Sequence, residues 1–225
     1  MTGDAHAAPR ARGARRPRAL LLDLDGTLVD SSPTHAAAFR DALGALAPSA
    51  AVGFDYERIR GLPTYDALAR LGLLDPALVA RVAAAKSARY RDLVRAGAVG
   101  AAAGASELLD ALASAGVSAI VLTAASRASA ELALAGAGLA AGVHALVSAD
   151  DLALPKPAVE AYVETLGRFG LAAADAVAVD DDATAVRAAR AAGLDAVQVG
   201  GPAPSDGGWH VASLFGLVSW LEATR

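Results

Sequence analysis

The stretch Leu20-Leu21-Leu22-Asp23-Leu24-Asp25-Gly26-Thr27 constrains this chain more than any other, because an apolar run stops in two carboxylates, one residue apart, on a glycine turn. A short apolar run bounded by a turn signal reads as a buried strand, and ligands in open α/β sheets sit at the carboxyl ends of such strands. Residues i and i+2 share one side of a strand, so Asp23 and Asp25 are expected to converge there. Converging carboxylates repel unless a cation or proton intervenes, and a metal ion is the simplest remedy. The pattern outlines a phosphoryl-transfer site.

The rest of the chain decides what surrounds that strand. From Ser31 to about Gly97 the sequence reads as several helices, with apolar positions at helical spacing in Ala37-Phe39-Leu43-Leu46 and Leu68-Leu71-Leu73, and breaks at Pro48, Pro63 and Pro76. From about Val99 helical stretches alternate with the short runs Ala119–Leu122, Ala145–Val147, Ala176–Val179 and Ala196–Val199, the rhythm of a parallel sheet. The expected fold is therefore α/β: a Rossmann-like parallel sheet core, residues 18–30 and 99–225, interrupted after its first strand by an all-helical cap, residues 31–98, placed as lids over sites are. Residues 1–17 combine alanine, glycine, proline and arginine without apolar periodicity and are expected to form a disordered arm. Arg10, Arg12, Arg15, Arg16 and the adjoining Arg18 could bind an anion there, although a solvated tail is the plainer reading.

Composition narrows the function classes. Of 225 residues 55% are hydrophobic, enough for a sizeable core, and a formal charge of −4 argues against nucleic-acid binding as the main task. The absence of cysteine excludes disulfides, thiolate metal sites and thiol nucleophiles. No apolar run approaches the ~18 residues needed to span a bilayer, and the N-terminus lacks the charged-then-apolar order of a signal peptide, so a cytoplasmic protein without a membrane partner is expected, as monomer or dimer.

Each later strand end offers a part that phosphoryl transfer can use. Thr123 supplies a neutral hydroxyl for a phosphate oxygen, although a threonine ending a strand is also ordinary. In Leu154-Pro155-Lys156-Pro157 two prolines limit where one ammonium can point, and a fixed cation offsets charge on anionic oxygens; a plain surface lysine in a turn is the alternative. The block Asp180-Asp181-Asp182 after a buried strand is costly without a counter-ion, and magnesium is held by one or two carboxylates with waters and phosphate oxygens. Asp182 directly precedes the alanine-rich segment Ala183 to Ala192 and is placed as its N-cap, which leaves Asp181 for the metal and Asp180 as auxiliary ligand or water holder.

Taken in order, these segments resemble the haloacid dehalogenase superfamily in its magnesium-dependent phosphatase branch, from about Arg18 to the C-terminus. Asp23-Leu24-Asp25-Gly26-Thr27 matches its first motif, Thr123 its second, Lys156 its third and Asp180-Asp181 its fourth. The resemblance implies that Asp23 attacks phosphorus to give an aspartyl-phosphate, and that Asp25 protonates the leaving group and then activates water. It implies Mg²⁺ on the Asp23 carboxylate, the Asp25 backbone carbonyl and the Asp181 carboxylate, with Thr123 and Lys156 on the transferring group and Gly26, Thr27 and Ala124 beside the substrate. The superfamily's dehalogenases do not use the second acid, so Asp25 makes dehalogenation an unfavoured reading. The fourth motif departs from the family at Asp182 and Ala185, where serine and glycine are common, but neither place is expected to touch substrate.

The segment Val29 to His35 is similar to the start of the cap in the β-phosphoglucomutase-like and sugar-phosphate phosphatase group. That similarity makes His35 a candidate to orient the general acid, against the plainer reading of a packed histidine beside Phe39. Lys86, four before Tyr90, matches a cap lysine that can reach substrate; a solvated helix lysine is the competing reading. Gly61 to Asp66 resembles the substrate-specificity stretch, with Thr64 where the mutases carry an arginine that grips a distal phosphate, and a neutral hydroxyl cannot make that charged clamp. The expected activity is thus a Mg²⁺-dependent phosphatase for a small phosphorylated metabolite, a sugar phosphate above others. A sugar-phosphate mutase and a noncatalytic phosphate-binding protein are the alternatives.

Overall fold

The computed structural model describes residues 16–223. In chain order, β1 (Ala19–Leu22) and β2 (Val29–Asp30) lead into α1 (Ser32–Leu46), α2 (Pro48–Ala51), α3 (Thr64–Arg70) and α4 (Pro76–Arg95). The chain then returns through β3 (Gly100–Ala101) to α5 (Ala105–Ala115), β4 (Ser118–Leu122), α6 (Arg127–Gly136), β5 (Ala145–Val147) and α7 (Val159–Arg168). It finishes with β6 (Ala176–Asp180), α8 (Ala183–Ala191), β7 (Asp195–Val199), β8 (His210–Val211) and α9 (Phe215–Ala223).

Six strands form one parallel sheet in the order β5-β4-β1-β6-β7-β8. Its alternation is explicit in the burial. Leu20, Leu22, Val121, Val177, Val179 and Val197 face one side, packed with α5, α6 and α9, while Leu21, Ile120, Leu122, Ala178 and Ala196 face the other, under α7 and α8. Both faces are covered, so the strands read as continuous apolar runs. β1 lies at the centre with β4 and β6 in register on either side, Leu22 opposite Val121 and Val179. The segments that leave these three strands are therefore neighbours.

The helices between β2 and β3 have their own core around Phe39, Leu43, Ile59, Leu68 and Val82. They enter and leave through a two-residue antiparallel ribbon, Val29 opposite Ala101 and Asp30 opposite Gly100, too short to leave a pattern in the sequence. Two expectations are corrected by the fold. Leu68, Leu71 and Leu73 do not share one helix: α3 ends at Arg70, Gly72 turns the chain at φ +85°, and the Leu73 amide bonds back to the Leu68 carbonyl, a C-terminal reversal that only glycine accepts cheaply. Residues just before 18 are also packed on the protein. Arg16 Nη1 donates to the Ala115 carbonyl at 3.4 Å, and Arg18 donates from its amide to the Asp175 carbonyl and lies 3.7 Å from the Asp175 carboxylate, so both arginines are spent on the protein. The remainder of the expected arm, residues 1–15, lies outside the described residues. No helix among the described residues is long and apolar enough to cross a membrane.

Candidate active site

Asp23 comes directly after the last residue of β1, with its amide donating to the Val179 carbonyl. Here the structure departs from the expectation of two acids on one side of a strand. β1 ends at Leu22, so Asp25 lies beyond the strand, bridged to Val29 and followed by the Gly26 turn. The two carboxylates accordingly serve different neighbours, Asp23 facing the sheet's acids and Asp25 the helical insert.

On the sheet side, Lys156 donates from Nζ to Asp23 Oδ1 at 2.6 Å, to Asp180 Oδ2 at 2.5 Å and to the Leu122 carbonyl at 3.1 Å. All three polar residues are buried. Burial pushes the Asp23 carboxyl up to about 6 and that of Asp180 up to about 7 against the pull of the ammonium. For Lys156 burial works the other way, but its two carboxylate partners outweigh it and hold the ammonium well above its ordinary range. Asp180 is fully engaged, because its other oxygen accepts the Asp182 amide at 2.9 Å.

Asp23, Asp180 and Asp181 offer carboxylate oxygens that all lie within 4.8 Å of one another. Three acids so close, in a site with one lysine, suit a hard divalent cation that prefers oxygen ligands. The cradle is shaped for it: Gly26 sits at φ +89°, and a β-carbon there would lie 2.5 Å from Asp181 Oδ2, so any larger residue would drive that carboxylate away. Thr27 Oγ1 lies 3.5 Å from Asp181 Oδ1. The Asp25 carboxylate is outside the acid trio. Thr123, one residue past β4, is buried, and its hydroxyl oxygen accepts the Ala125 amide at 3.0 Å, so its proton remains to be donated. Asp182 caps α8 by accepting the Thr184 amide at 2.9 Å, as its position suggested.

On the insert side, His35 from α1 and Lys86 and Tyr90 from α4 converge on Asp25. Lys86 Nζ lies 3.0 Å from His35 Nδ1, His35 Nε2 lies 3.1 Å from Asp25 Oδ1, and the Tyr90 hydroxyl donates to the same oxygen at 3.3 Å. An ammonium can only donate, so Nδ1 accepts and the ring proton sits on Nε2, directed at Asp25. Burial lowers the His35 pKa despite the adjacent carboxylate. The ring stacks on Tyr90 at 4.2 Å between centroids and 6° between planes, which fixes its orientation. Lys86 is 7% exposed, its charge 4.8 Å from the centre of the Phe39 ring, and burial lowers its pKa to about 8, so the reading as a solvated lysine is excluded. Burial raises Asp25, but His35 and Lys86 outweigh it and hold its carboxyl at about 2.

Between the two sides lies a cavity of about 510 Å³, whose lining includes Thr64 and Ala124 together with the catalytic candidates. Gly26 and Thr27 shape the cradle from behind and do not line it. The sequence reading missed Tyr90 as a site residue, although Lys86 and Tyr90 at i and i+4 necessarily share a helix face. The contact of Arg60 with Asp181, Nη2 to Oδ2 at 3.2 Å, spans 121 residues and leaves no local pattern in the sequence.

An α/β core with carboxylates at adjacent strand ends defines a class of hydrolase, and comparison with known proteins gives its family. Residues 17–193 match the haloacid dehalogenase-like hydrolases. The protein CbbY encoded on a plasmid of Cupriavidus necator is 30% identical over 203 residues, 80% of this chain and 77% of its own. Fructose-1-phosphate phosphatase YqaB of Escherichia coli is 31% identical over 80% of this chain and 95% of its own. Among solved structures, β-phosphoglucomutase from Clostridium difficile superposes with a TM-score of 0.77 at 19% identity, over 92% of this chain and 96% of that one, a likeness of fold. The chain belongs to the haloacid dehalogenase-like hydrolase family.

Proposed function

We propose that this hydrolase is a Mg²⁺-dependent phosphatase that cleaves a small phosphomonoester, a sugar phosphate above others, through an aspartyl-phosphate on Asp23. Residues 31–98 act as its cap over the core formed by 18–30 and 99–225. The observation that carries the reading is the division of labour between the two carboxylates: Asp23 is anchored by Lys156 beside an acid cluster, and Asp25 faces it from a separate network of His35, Lys86 and Tyr90. A binding protein would have no need of the second acid. The phosphatase activity of YqaB and the similarity to CbbY support the substrate class.

The metal would be held by the Asp23 and Asp181 carboxylates and the Asp25 carbonyl, with Asp180 behind them. Bound there, it neutralises charge between the nucleophile and an anionic phosphoryl group. Lys156 holds one Asp23 oxygen, which leaves the other to attack phosphorus as the bond to the leaving oxygen breaks. Thr123 donates to a phosphoryl oxygen, while Lys156, its three donors on Asp23, Asp180 and the Leu122 carbonyl, offsets the phosphoryl charge from beside Asp23. Asp25 is ionised at rest, so the proton required by the leaving oxygen enters with the substrate, whose phosphate carries one below its second pKa of about 6, and passes through Asp25. Asp25, ionised once more, then takes a proton from water as the water attacks the aspartyl-phosphate. The bond from Asp23 to phosphorus breaks as the water oxygen joins it, Asp25 passes its proton to the departing phosphate, and both carboxylates are regenerated. Measuring phosphate release from sugar phosphates, nucleotides, phosphoglycolate and pyrophosphate, with Mg²⁺ and with chelator, tests this. Release from sugar phosphates in Mg²⁺ alone is expected, and equal release in excess chelator would overturn the metal assignment.

A further inference from the structure

Arg60 lies on the loop between the short 3-10 turn Tyr56–Arg58 and α3, and there a charge of the helical segment meets the acid cluster. Its Nη2 is 3.2 Å from Asp181 Oδ2, and Nη1 is 3.7 Å from Glu57 Oε2. The next residue, Gly61, brings the backbone onto the neighbouring acid, so that a β-carbon there would lie 3.6 Å from the Asp182 carboxylate. The lysines of the cavity are committed elsewhere, Lys156 to Asp23 and Asp180 and Lys86 to His35. Arg60 is different: its side chain is about half exposed, and its partner is an acid of the cation cluster.

Asp181 lies against the bare Cα of Gly26, with Thr27 Oγ1 3.5 Å away and Asp23 and Asp180 beside it. Its carboxylate thus faces both Arg60 and the place a cation would take. A magnesium ion within ~2.1 Å of an Asp181 oxygen would stand only a few ångströms from the guanidinium, and the two would repel.

We propose that Arg60 is a surrogate for the divalent cation, so that metal occupancy and docking of the 56–62 loop oppose each other through Asp181. This rests on the metal reading above. Coupling between two binding events is reciprocal: if the docked arginine weakens the metal, the metal weakens the dock by the same factor. Loading the metal then loosens the loop at the mouth of the cavity. An anionic phosphoryl group gives Arg60 a new partner and brings the loop back over the substrate. Arg60 is thus a positioning residue, acting through the loop that carries it.

The test uses the full chain without substrate: calorimetric titration with Mg²⁺ of the wild type, Arg60→Met, which removes the charge and keeps the stem, and Arg60→Lys, which keeps the charge. Arg60→Met is expected to bind Mg²⁺ at least about fivefold more tightly, with Arg60→Lys near the wild type. Hydrogen exchange of residues 56–62 should quicken with Mg²⁺ in the wild type and be fast and insensitive to Mg²⁺ in Arg60→Met. Equal or weaker Mg²⁺ binding by Arg60→Met overturns the proposal, as does Arg60→Lys binding as tightly as Arg60→Met, since charge would then not be the link. If none of the three binds Mg²⁺, the metal reading itself falls, which is a separate outcome from equal binding by all.

Discussion

Two aspartates two residues apart end with opposite acidities, and the cause lies in their partners. Asp23 is buried beside other acids and shares a single ammonium with Asp180, so its carboxyl rises to about 6. Asp25 is buried too, but the charge and hydrogen bond of His35, with Ser31 and the Lys86 ammonium, outweigh burial and lower it to about 2. Such separation is what an assignment of distinct roles requires. Asp23→Asn replaces the nucleophile with a near-isostere and leaves Lys156 paired with Asp180, so the protein should stay folded, with stability changed by no more than about 1 kcal/mol, while turnover falls by at least about 10³-fold. Hydrolysis of an aryl phosphate measured beside thermal unfolding checks both. Turnover near wild type in a verified variant would remove Asp23 from its role.

At the scale of elements, the site is a product of register. β1 lies between β4 and β6, so the segments leaving these strands deliver Asp23, Thr123 and Asp180 to one edge, and α8 begins immediately beyond, with Asp182 as its cap. Replacing Asp182 by Ala removes the acceptor for the Thr184 amide and should cost about 1 kcal/mol in urea unfolding, with Asp181 still in place; a loss as large as that of a buried ion pair would mean Asp182 does more than cap. The strand ends at Asp23, Thr123 and Asp180 were legible in the sequence because a covered parallel strand is an uninterrupted apolar run, and the polar residue that terminates such a run stands out; Lys156 lies instead on the loop before α7, well past the end of β5 at Val147. Asp25 was placed on the wrong footing, since the period-two rule holds only while the strand lasts and β1 stops at Leu22. The partners of Tyr90 and Arg60 were illegible for another reason. Their contacts join residues 65 and 121 positions apart, and periodicity reports on the helix a residue belongs to, not on what that helix meets.

For the whole molecule, protons and metal compete for the same acids, and substrate selection depends on what the insert presents across the cavity. Asp23 at about 6 and Asp180 at about 7 lie above their ordinary 3.8, so the metal-free fold holds these protons, and the stability they lend on the acid side is lost as pH rises through both values. A divalent cation needs the ionised forms, so the gain in melting temperature on adding Mg²⁺ should be small at pH 5 and larger at pH 8; an equal gain at both would detach those acids from the metal. The partition between hydrolysis and isomerisation is set by the other wall. A mutase must hold a bisphosphate in two orientations and so needs a strong second anion site facing the catalytic one. Here Thr64 lines that wall and Lys86 is turned to His35. Neither offers the bidentate guanidinium clamp that a distal phosphate would take. With β-glucose 1-phosphate, Mg²⁺ and a bisphosphate primer, free phosphate should therefore far exceed glucose 6-phosphate. Thr64→Arg should tighten binding of bisphosphates by more than that of monophosphates, because the added guanidinium can pair only with the distal group. Isomerisation outrunning phosphate release in the wild type would favour the mutase, and equal tightening of both ligand classes would show that Thr64 does not face the far end of the substrate.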